Sequence, residues 1–505
     1  MRPATIDSID TTFSDLQPAA VWQHFATLCQ TPRQPKCEGR LRDRLRQWAG
    51  DRDLTTIVDA TGNLLIRKRA SSGSEQAPGV VLQAHLDMVC QKTPLSQHDF
   101  ARDPIRPRRR DGWLVAEETT LGADNGIGVA LILAALADSS LQHGPLEALL
   151  TVDEEAGMGG AHGLAPSLLR GRLLLNLDTE EWGEFFVGCA GGLDVNVRRP
   201  GKARGLPAAC EIWRIELQGL RGGHSGVDIH LQRGNAIKLL VRVLRDLERR
   251  WPLHLVELAG GSARNSLPRE ASATLALPAG LGDALATSLN DWQAVLRQEL
   301  LGVDEGLRID CAAAAAERTL DTAEQAIWLA SLHAAPHGVR RYSLHLPGVV
   351  ETSNNLGMVA ITADEAACNF MVRSLLDSGS DALADEIVSL FALSATTAAK
   401  TGHYPGWEPR PGSPLLALCR SVFQREFGHE SKVQVIHAGL ECGLIGARYP
   451  ELDMLSFGPT IRGAHAPGER VEIASVGHAW RLLTAILAAI AAAPAGAAVP
   501  AIPPR

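Results

Sequence analysis

The sequence predicts an α/β protein whose first domain is built from both ends of the chain, with an α+β domain inserted between them. Three observations carry this. Short apolar runs alternate with helical periodicity from Trp22 to about Cys189; that character changes after Cys189-Ala190-Gly191-Gly192; and it returns from Ser413 onward. The 505 residues are ample for more than one buried core. A content of 45% hydrophobic and 21% charged residues excludes wholesale disorder. The boundaries read as 1–191 for the first part of the discontinuous domain, 192–395 for the insertion and 396–505 for the second part, ending in an Ala- and Pro-rich frayed tail.

The elements follow in order. Val80 to His85 is a strand that ends in polar residues, and Gly126 to Asp138 is apolar almost all round, as a buried helix is. Leu146 to Val152 and Leu173 to Leu177 read as further strands, each followed at once by acids: Asp153-Glu154-Glu155 and Asp178. Within the insertion, Asp228 to Arg250 holds an amphipathic helix with Ile237, Leu240, Val241, Leu244 and Leu247 on one stripe. Ala271 to Leu277 alternates as a half-exposed strand does, Leu285 to Leu301 is helical, and a second strand-and-helix set runs from about Ser343 to Leu393. The chain turns near Gly402-His403-Tyr404-Pro405-Gly406, and Leu482 to Ala493 reads as a C-terminal packing helix.

Charge and composition exclude several classes. Forty-nine Lys+Arg against 57 Asp+Glu leave a net charge of −8, which argues against a nucleic-acid partner. The one basic cluster, Arg106, Arg108, Arg109 and Arg110, reads as a solvated loop or hairpin tip. No run reaches the roughly 18 consecutive apolar residues of a membrane helix. The opening MRPATIDSID carries acids and no apolar signal core, so no membrane partner is expected. Nine cysteines without a CxxC pair fit reduced thiols, and a soluble cytoplasmic protein is the resulting expectation.

The chemistry lies at the strand ends. His85-Leu-Asp87, Gly122-Ala-Asp124-Asn125-Gly126, Asp153-Glu154-Glu155, Asn176-Leu-Asp178 and, far downstream, Gly463-Ala-His465 would gather imidazoles and carboxylates at one sheet edge. Such acids repel one another unless cations neutralise them. Mixed imidazole and carboxylate donors suit Zn²⁺, Mn²⁺ or Co²⁺ better than Mg²⁺ or Ca²⁺. With two ions about 3.5–4 Å apart, one carboxylate can bridge them. Each piece alone has a bland reading: a strand-end His bonded to its neighbour, a solvated acidic loop, a turn or cap aspartate. Their joint placement after apolar strands is what points to metal.

The ordered motifs HLDMV, TTLGADNGIG, VDEEAGMGGA, NLDTEEWGE, GLRGGHSG and HAGLECGL resemble the M20 metallopeptidases, in particular their aminoacyl-histidine (Xaa-His) dipeptidase branch. The resemblance runs from about residue 19 to 490 and includes GGSARNSLPRE, GVVETSNNLG and YPGWEP. It implies a di-metal catalytic domain with a mixed central sheet, and makes the insertion a lid. It implies Asp124 as the bridge between two divalent ions, Zn²⁺ first and Mn²⁺ or Co²⁺ as alternatives. His85 and Asp178 complete one ion, and Glu155 and His465 the other. Asp87 orients the His85 imidazole from behind. Glu154 is the general base for a water between the ions, a role the residues alone could not divide between Glu154 and Glu155.

For the substrate, the resemblance assigns His224 to the developing oxyanion and Arg373 to the free carboxylate of a dipeptide, with Asn265 and Arg264 as further candidates. Glu441 has two readings, a contact to the substrate ammonium or a buried structural carboxyl. Lid closure would expel water and bring His224 and Arg373 to the substrate, and a homodimer, though compatible, would not be needed to complete the site. Two positions depart from the family pattern: Cys90 stands where Pro is usual, and Ala466 where a small hydroxyl is usual. A soft thiol beside the site predicts sensitivity to oxidation or heavy metals.

The expected activity is hydrolysis of Xaa-His and other unblocked dipeptides. The alternative inside the superfamily is an N-acyl-amino-acid amidohydrolase or carboxypeptidase, which would share every ligand and differ in not requiring a free amine. The alternative of another class is an inactive metal-bearing binding protein, whose mark would be loss of the base or a ligand. Glu154 and all five ligands are present.

Overall fold

The computed structural model describes residues 12–344, 346–410 and 412–492; the expected frayed tail lies outside them. The chain forms two compact units: Met1–Gly188, Pro409–Val435 and Glu441–Arg505 in the first, and Cys189–Glu408 with Ile436–Leu440 in the second. The return to the first unit therefore comes at 409, not at 396 as the sequence suggested. The reason is pairing: strand Thr397–Tyr404 joins Gly191–Pro200 in the second unit's sheet.

The first unit is organised by an eight-stranded sheet. Its order is Thr55–Val58, Leu64–Lys68, Leu146–Thr151, Val80–His85, Leu173–Asn176, Asp453–Ser456, Glu184–Cys189 and Lys432–Ile436. The central neighbours run parallel, while Leu64–Lys68 pairs antiparallel with Leu146–Thr151, so the sheet is mixed. The central strands are buried along their whole length, which is why they read as near-continuous apolar runs. Helix Ala123–Ala137 is buried almost all round, as its composition predicts.

The C-terminal helix begins earlier than predicted and spans Ile473–Ala491. By length and composition it is the one helix among the described residues that could cross a membrane. Here Val476, Ala479, Leu482, Leu483, Ile486, Leu487 and Ile490 face the first unit's core. Arg481 on the same helix pairs with Glu426. The basic cluster forms an exposed hairpin strand, Arg108–Arg110, paired with Trp113–Val115 across an Asp111-Gly112 turn.

The second unit carries an antiparallel sheet in which Cys210–Gln218, Ala271–Pro278, His254–Gly260, Val350–Ile361, Glu365–Ser374 and Gly191–Pro200 are successive neighbours. Helix Ala236–Arg250 buries the predicted stripe of Ile237, Leu240, Val241, Leu244 and Leu247, and the Asn235 side chain caps its first turn at Lys238 N. Further helices span Gly282–Glu299, Thr322–Ala334 and Asp377–Ala392.

Candidate metal centre

Parallel pairing places three chemically loaded strand exits side by side. Val80–His85 ends on His85, Leu146–Thr151 leads to Glu154 and Glu155, and Leu173–Asn176 leads to Asp178. His85 is in register with Thr151, and Gln83 with Asn176. Asp124 enters from the start of the buried helix, next to a cis peptide bond to Asn125. His465 comes from the turn after Ile461–Arg462, with its backbone in the left-handed region at φ 65°.

Asp124 stands between two imidazoles. Its Oδ1 lies 3.1 Å from His85 Nε2, and its Oδ2 lies 3.2 Å from His465 Nε2. His85 Nε2 is also 3.4 Å from Asp178 Oδ1, and His465 Nε2 is 3.1 Å from Glu155 Oε2. Two donor sets therefore share one carboxylate: His85, Asp124 and Asp178 on one side, and Asp124, Glu155 and His465 on the other. Among the described residues, His85, Asp124 and Glu155 offer ligand atoms that all lie within 4.8 Å of one another. Glu155 Oε1 is buried without a hydrogen-bond partner, as an oxygen meant for a cation would be.

The electrostatics point the same way. Hydrogen bonds to Asp124 and Glu155 raise His465 to about 11. Burial works against a charged His85, yet Asp178, Asp124 and Asp87 together lift it well above the ordinary imidazole value. Burial also opposes the Asp124 anion, but the bonds from His465 and His85 hold it below the usual carboxylate range. Burial pushes Asp178 up to about 6. Imidazoles and carboxylates are thus held close enough to share charge, and divalent ions would take the place of protons among them. Imidazole nitrogen with carboxylate oxygen is a donor set that fits such ions.

Asp87 orders this arrangement. It is fully buried, with Oδ1 3.4 Å from His85 Nδ1. Its two oxygens accept the backbone N–H groups of Glu154 (3.1 Å) and Glu155 (3.0 Å). Burial pushes Glu154 well above the ordinary carboxyl value, with Asp178, Glu155 and Glu441 adding to the effect and His85 opposing it.

Three residues that the motifs did not single out position the ligands. Glu469 accepts four consecutive backbone N–H groups, from Leu121 to Asp124. Arg33, buried, donates from Nη1 to the carbonyls of Leu86 (3.0 Å) and Asp87 (2.8 Å) and from Nη2 to that of Gly122. Asn125 donates to Leu177 O (2.9 Å) and to Asp178. Gly122 sits at φ 69°, and a Cβ there would collide with the Arg33 guanidinium and the Met88 sulfur. Arg33 and Glu469 act on backbone groups, which leave no side-chain pattern in the sequence that would reveal such a role.

The model of Peptidase family M20/M25/M40 matches residues 81–489, a stretch that contains every residue of both donor sets. The chain belongs to this family. Among its relatives, the cytosol non-specific dipeptidase of Escherichia coli (strain K12) is 44% identical over 480 residues, covering 95% of this chain and 99% of that protein. The crystal structure of an aminoacylhistidine dipeptidase from Vibrio alginolyticus is 42% identical with a TM-score of 0.85, covering 95% of this chain and 99% of that one. An aminopeptidase PepT from Bacillus cereus, at 15% identity and a TM-score of 0.56 over 94% of this chain and 99% of that one, shares the M20 fold.

The remaining candidates of this M20 chain divide between the units. Within the second unit, Arg373 is buried and donates to Tyr404 Oη (2.9 Å), with Nη2 3.5 Å from His224 Nε2. His224 Nδ1 accepts backbone N–H bonds from Gly226 (3.2 Å) and Val227 (3.0 Å). That network assigns the ring proton to Nε2. Arg264 is ion-paired with Asp194, and Asn265 is exposed.

Two further expectations concern Glu441 and Cys90. Glu441 is fully buried in the first unit, its Oε2 accepting from Gln83 Nε2 and Thr151 Oγ1, both at 2.6 Å, and burial raises it to about 8. Of its two readings, burial and these bonds favour the structural carboxyl. Burial likewise lifts the Cys90 thiol to about 11, which opposes thiolate formation at neutral pH.

Proposed function

We propose that this chain is a two-metal dipeptidase that hydrolyses unblocked dipeptides, Xaa-His among them. The observation that carries the reading is Asp124 between His85 and His465, with Glu154 next to Glu155 in the chain and its backbone N–H held by Asp87. The names of the Escherichia coli and Vibrio alginolyticus relatives support it, at 44% and 42% identity over nearly the whole chain. By the same comparison we assign the protein to the cytosol, with dipeptides as its partners.

In this reading His85, Asp124 and Asp178 would hold one ion, and Asp124, Glu155 and His465 the other. Zn²⁺ is the first choice, with Mn²⁺ or Co²⁺ as alternatives. Such ions supply Lewis-acid polarisation of the peptide carbonyl and make water a competent nucleophile at neutral pH. Glu154 would take a proton from the water as the C–O bond forms and the carbonyl oxygen gains charge, then give that proton to the leaving amine as the C–N bond breaks, with no covalent enzyme intermediate. Its raised proton affinity suits a group that must both accept and return a proton. Asp87 holds the His85 ring and the Glu154 backbone in fixed relation. His224, with its proton on Nε2, is the donor to the developing oxyanion. The Arg373 guanidinium receives the substrate carboxylate; Arg264 and Asn265 stand in a weaker supporting role.

Hydrolysis of Ala-His by chelator-stripped protein, before and after adding Zn²⁺ or Mn²⁺, tests this, with N-acetyl-Ala-His alongside. Metal-dependent cleavage of the free dipeptide alone is the expected result. Preference for the acetylated compound would move the chain to the N-acyl-amino-acid amidohydrolases, and cleavage of neither would overturn the dipeptidase reading.

A further inference from the structure

We propose that Tyr404 is a positioning residue for substrate recognition: its hydroxyl fixes the Arg373 guanidinium as an uncharged acceptor and leaves the arginine's charge for the carboxylate of the dipeptide. This rests on the reading of Arg373 as the receiver of that carboxylate, and deepens it.

The contact is built by strand register. In the second unit's sheet, Arg373 on Glu365–Ser374 and Tyr404 on Thr397–Tyr404 both pair with Gly192, on the strand between them. Their backbones are two strand spacings apart, about 10 Å, and directly opposed residues share a face. A bulge makes the match: between Thr401, which pairs with Asp194, and Tyr404, which pairs with Gly192, the chain holds one extra residue. Without it His403 would stand opposite Gly192. Glycine completes the arrangement, because a Cβ at 192 would lie only 2.8 Å from Tyr404 Oη. The phenol thus crosses over Gly192, and its oxygen accepts from Arg373 Nη1 at 2.9 Å.

The groups that hold Arg373 carry no charge. Besides Tyr404, its Nε lies 3.5 Å from Ser225 Oγ, and Gly226 packs against its Cδ and Nε so closely that a Cβ would lie 3.0 Å away. Nη2 meets His224 Nε2, itself a donor in the assigned tautomer, and so keeps its hydrogens for another acceptor. Among the described residues, Arg373 forms no ion pair. Arg264 is the contrast: the Asp194 carboxylate already neutralises it. Burial raises the Tyr404 phenol above its ordinary value, so its oxygen is a neutral acceptor and not a competing anion. A guanidinium already fixed before binding has less rotamer freedom to lose when the carboxylate arrives.

The test is Tyr404→Phe, which removes only the hydroxyl, in zinc-loaded protein with wild type alongside. Calorimetry would measure binding of a non-hydrolysable Ala-His isostere and of its C-terminal amide, and the kinetics of Ala-His would be followed on the same samples. Affinity for the free-acid isostere is expected to fall about 3- to 10-fold, with KM for Ala-His rising to match, kcat changing less and binding of the amide unaffected. In an Arg373→Met background the same change at Tyr404 should cost nothing further, because the hydroxyl acts through the guanidinium. Equal losses on acid and amide, a loss that persists in Arg373→Met, or no loss at all would each overturn the proposal. If melting shows that Tyr404→Phe does not fold, Gly192→Ala takes its place: it keeps the phenol but sets a methyl group against its oxygen. It must then weaken the acid more than the amide, and failure to do so overturns the proposal equally. If wild type binds acid and amide alike, the carboxylate reading of Arg373 fails first and this one with it.

Discussion

One carboxylate, Glu469, holds the backbone that presents Asp124. Oε2 accepts from Leu121 N and Gly122 N at 2.7 and 2.8 Å, and Oε1 from Ala123 N and Asp124 N at 2.8 and 3.2 Å. Glu469 follows His465 by four residues, so the two partners of the bridging position are fixed by a single turn of chain. Glu469→Ala would orphan buried N–H groups, each costing about 1–3 kcal/mol. We expect a clear loss of thermal stability and a fall of about 10- to 100-fold in metal affinity. Differential scanning calorimetry and metal titration check both, and an unchanged metal affinity would refute the positioning role.

Removing the base should separate chemistry from metal binding. Glu154→Gln is expected to lower kcat by about 10²- to 10⁴-fold while both ions remain bound. Asp124→Ala should instead lose metal, because it belongs to both donor sets. Elemental analysis of the purified variants distinguishes the two behaviours.

Arg373→Lys keeps the charge but loses the planar fork that pairs with a carboxylate. KM for Ala-His should rise by about 10-fold or more. A dipeptide amide, which has no carboxylate, should show little change. Equal losses on both substrates would mean that Arg373 supports the second unit's structure through Tyr404 and Ser225 rather than reading the substrate.

Acid should destabilise the protein through histidines kept neutral. Burial lowers His24 and His337 to about 4 and His437 to about 3. The unfolded chain protonates these rings near 6.5, before the folded one does, so it binds more protons between pH 6.5 and about 4. Stability should therefore fall as pH drops through that window and level off below it. Urea midpoints between pH 7 and 4 should show this slope, and His24→Gln should flatten it.

Glu441 predicts the opposite trend. Its folded value of about 8 lies above the ordinary 4.5, so its contribution is present in acid and lost as pH rises from about 4.5 through 8. Glu441→Gln, compared with wild type in metal-free samples, should gain stability at pH 9 and change little at pH 5. A large rise in KM for free dipeptides in this variant would restore the ammonium role that its burial argues against.

The parts that were legible in the sequence share a feature: they are local. The apolar run Val80–His85 ends on His85 because a buried strand must end where polar groups can reach the edge, and the stripe on Ala236–Arg250 follows helical period. The run Gly126–Asp138 could be read as buried from composition alone. The return to the first unit was misplaced because Thr397–Tyr404 is short of strong apolar signal and is held by its neighbour Gly191–Pro200. Arg33 and Glu469 were not legible because their partners are backbone groups, which leave no side-chain pattern.

The sequence by itself determined the types and order of the residues proposed as donors, the return of the chain to its first unit and the membership of a motif-rich family, since all of these are written in residue identity and spacing. Only the tertiary structure decided that Asp124 meets both His85 and His465, that Asp87 accepts from the backbone of both glutamates, and that Glu441 is buried against Gln83 and Thr151. The physical reason is that these are matters of which oxygen faces which nitrogen and how much water remains, and both are settled by parallel strand register and packing between residues hundreds of positions apart.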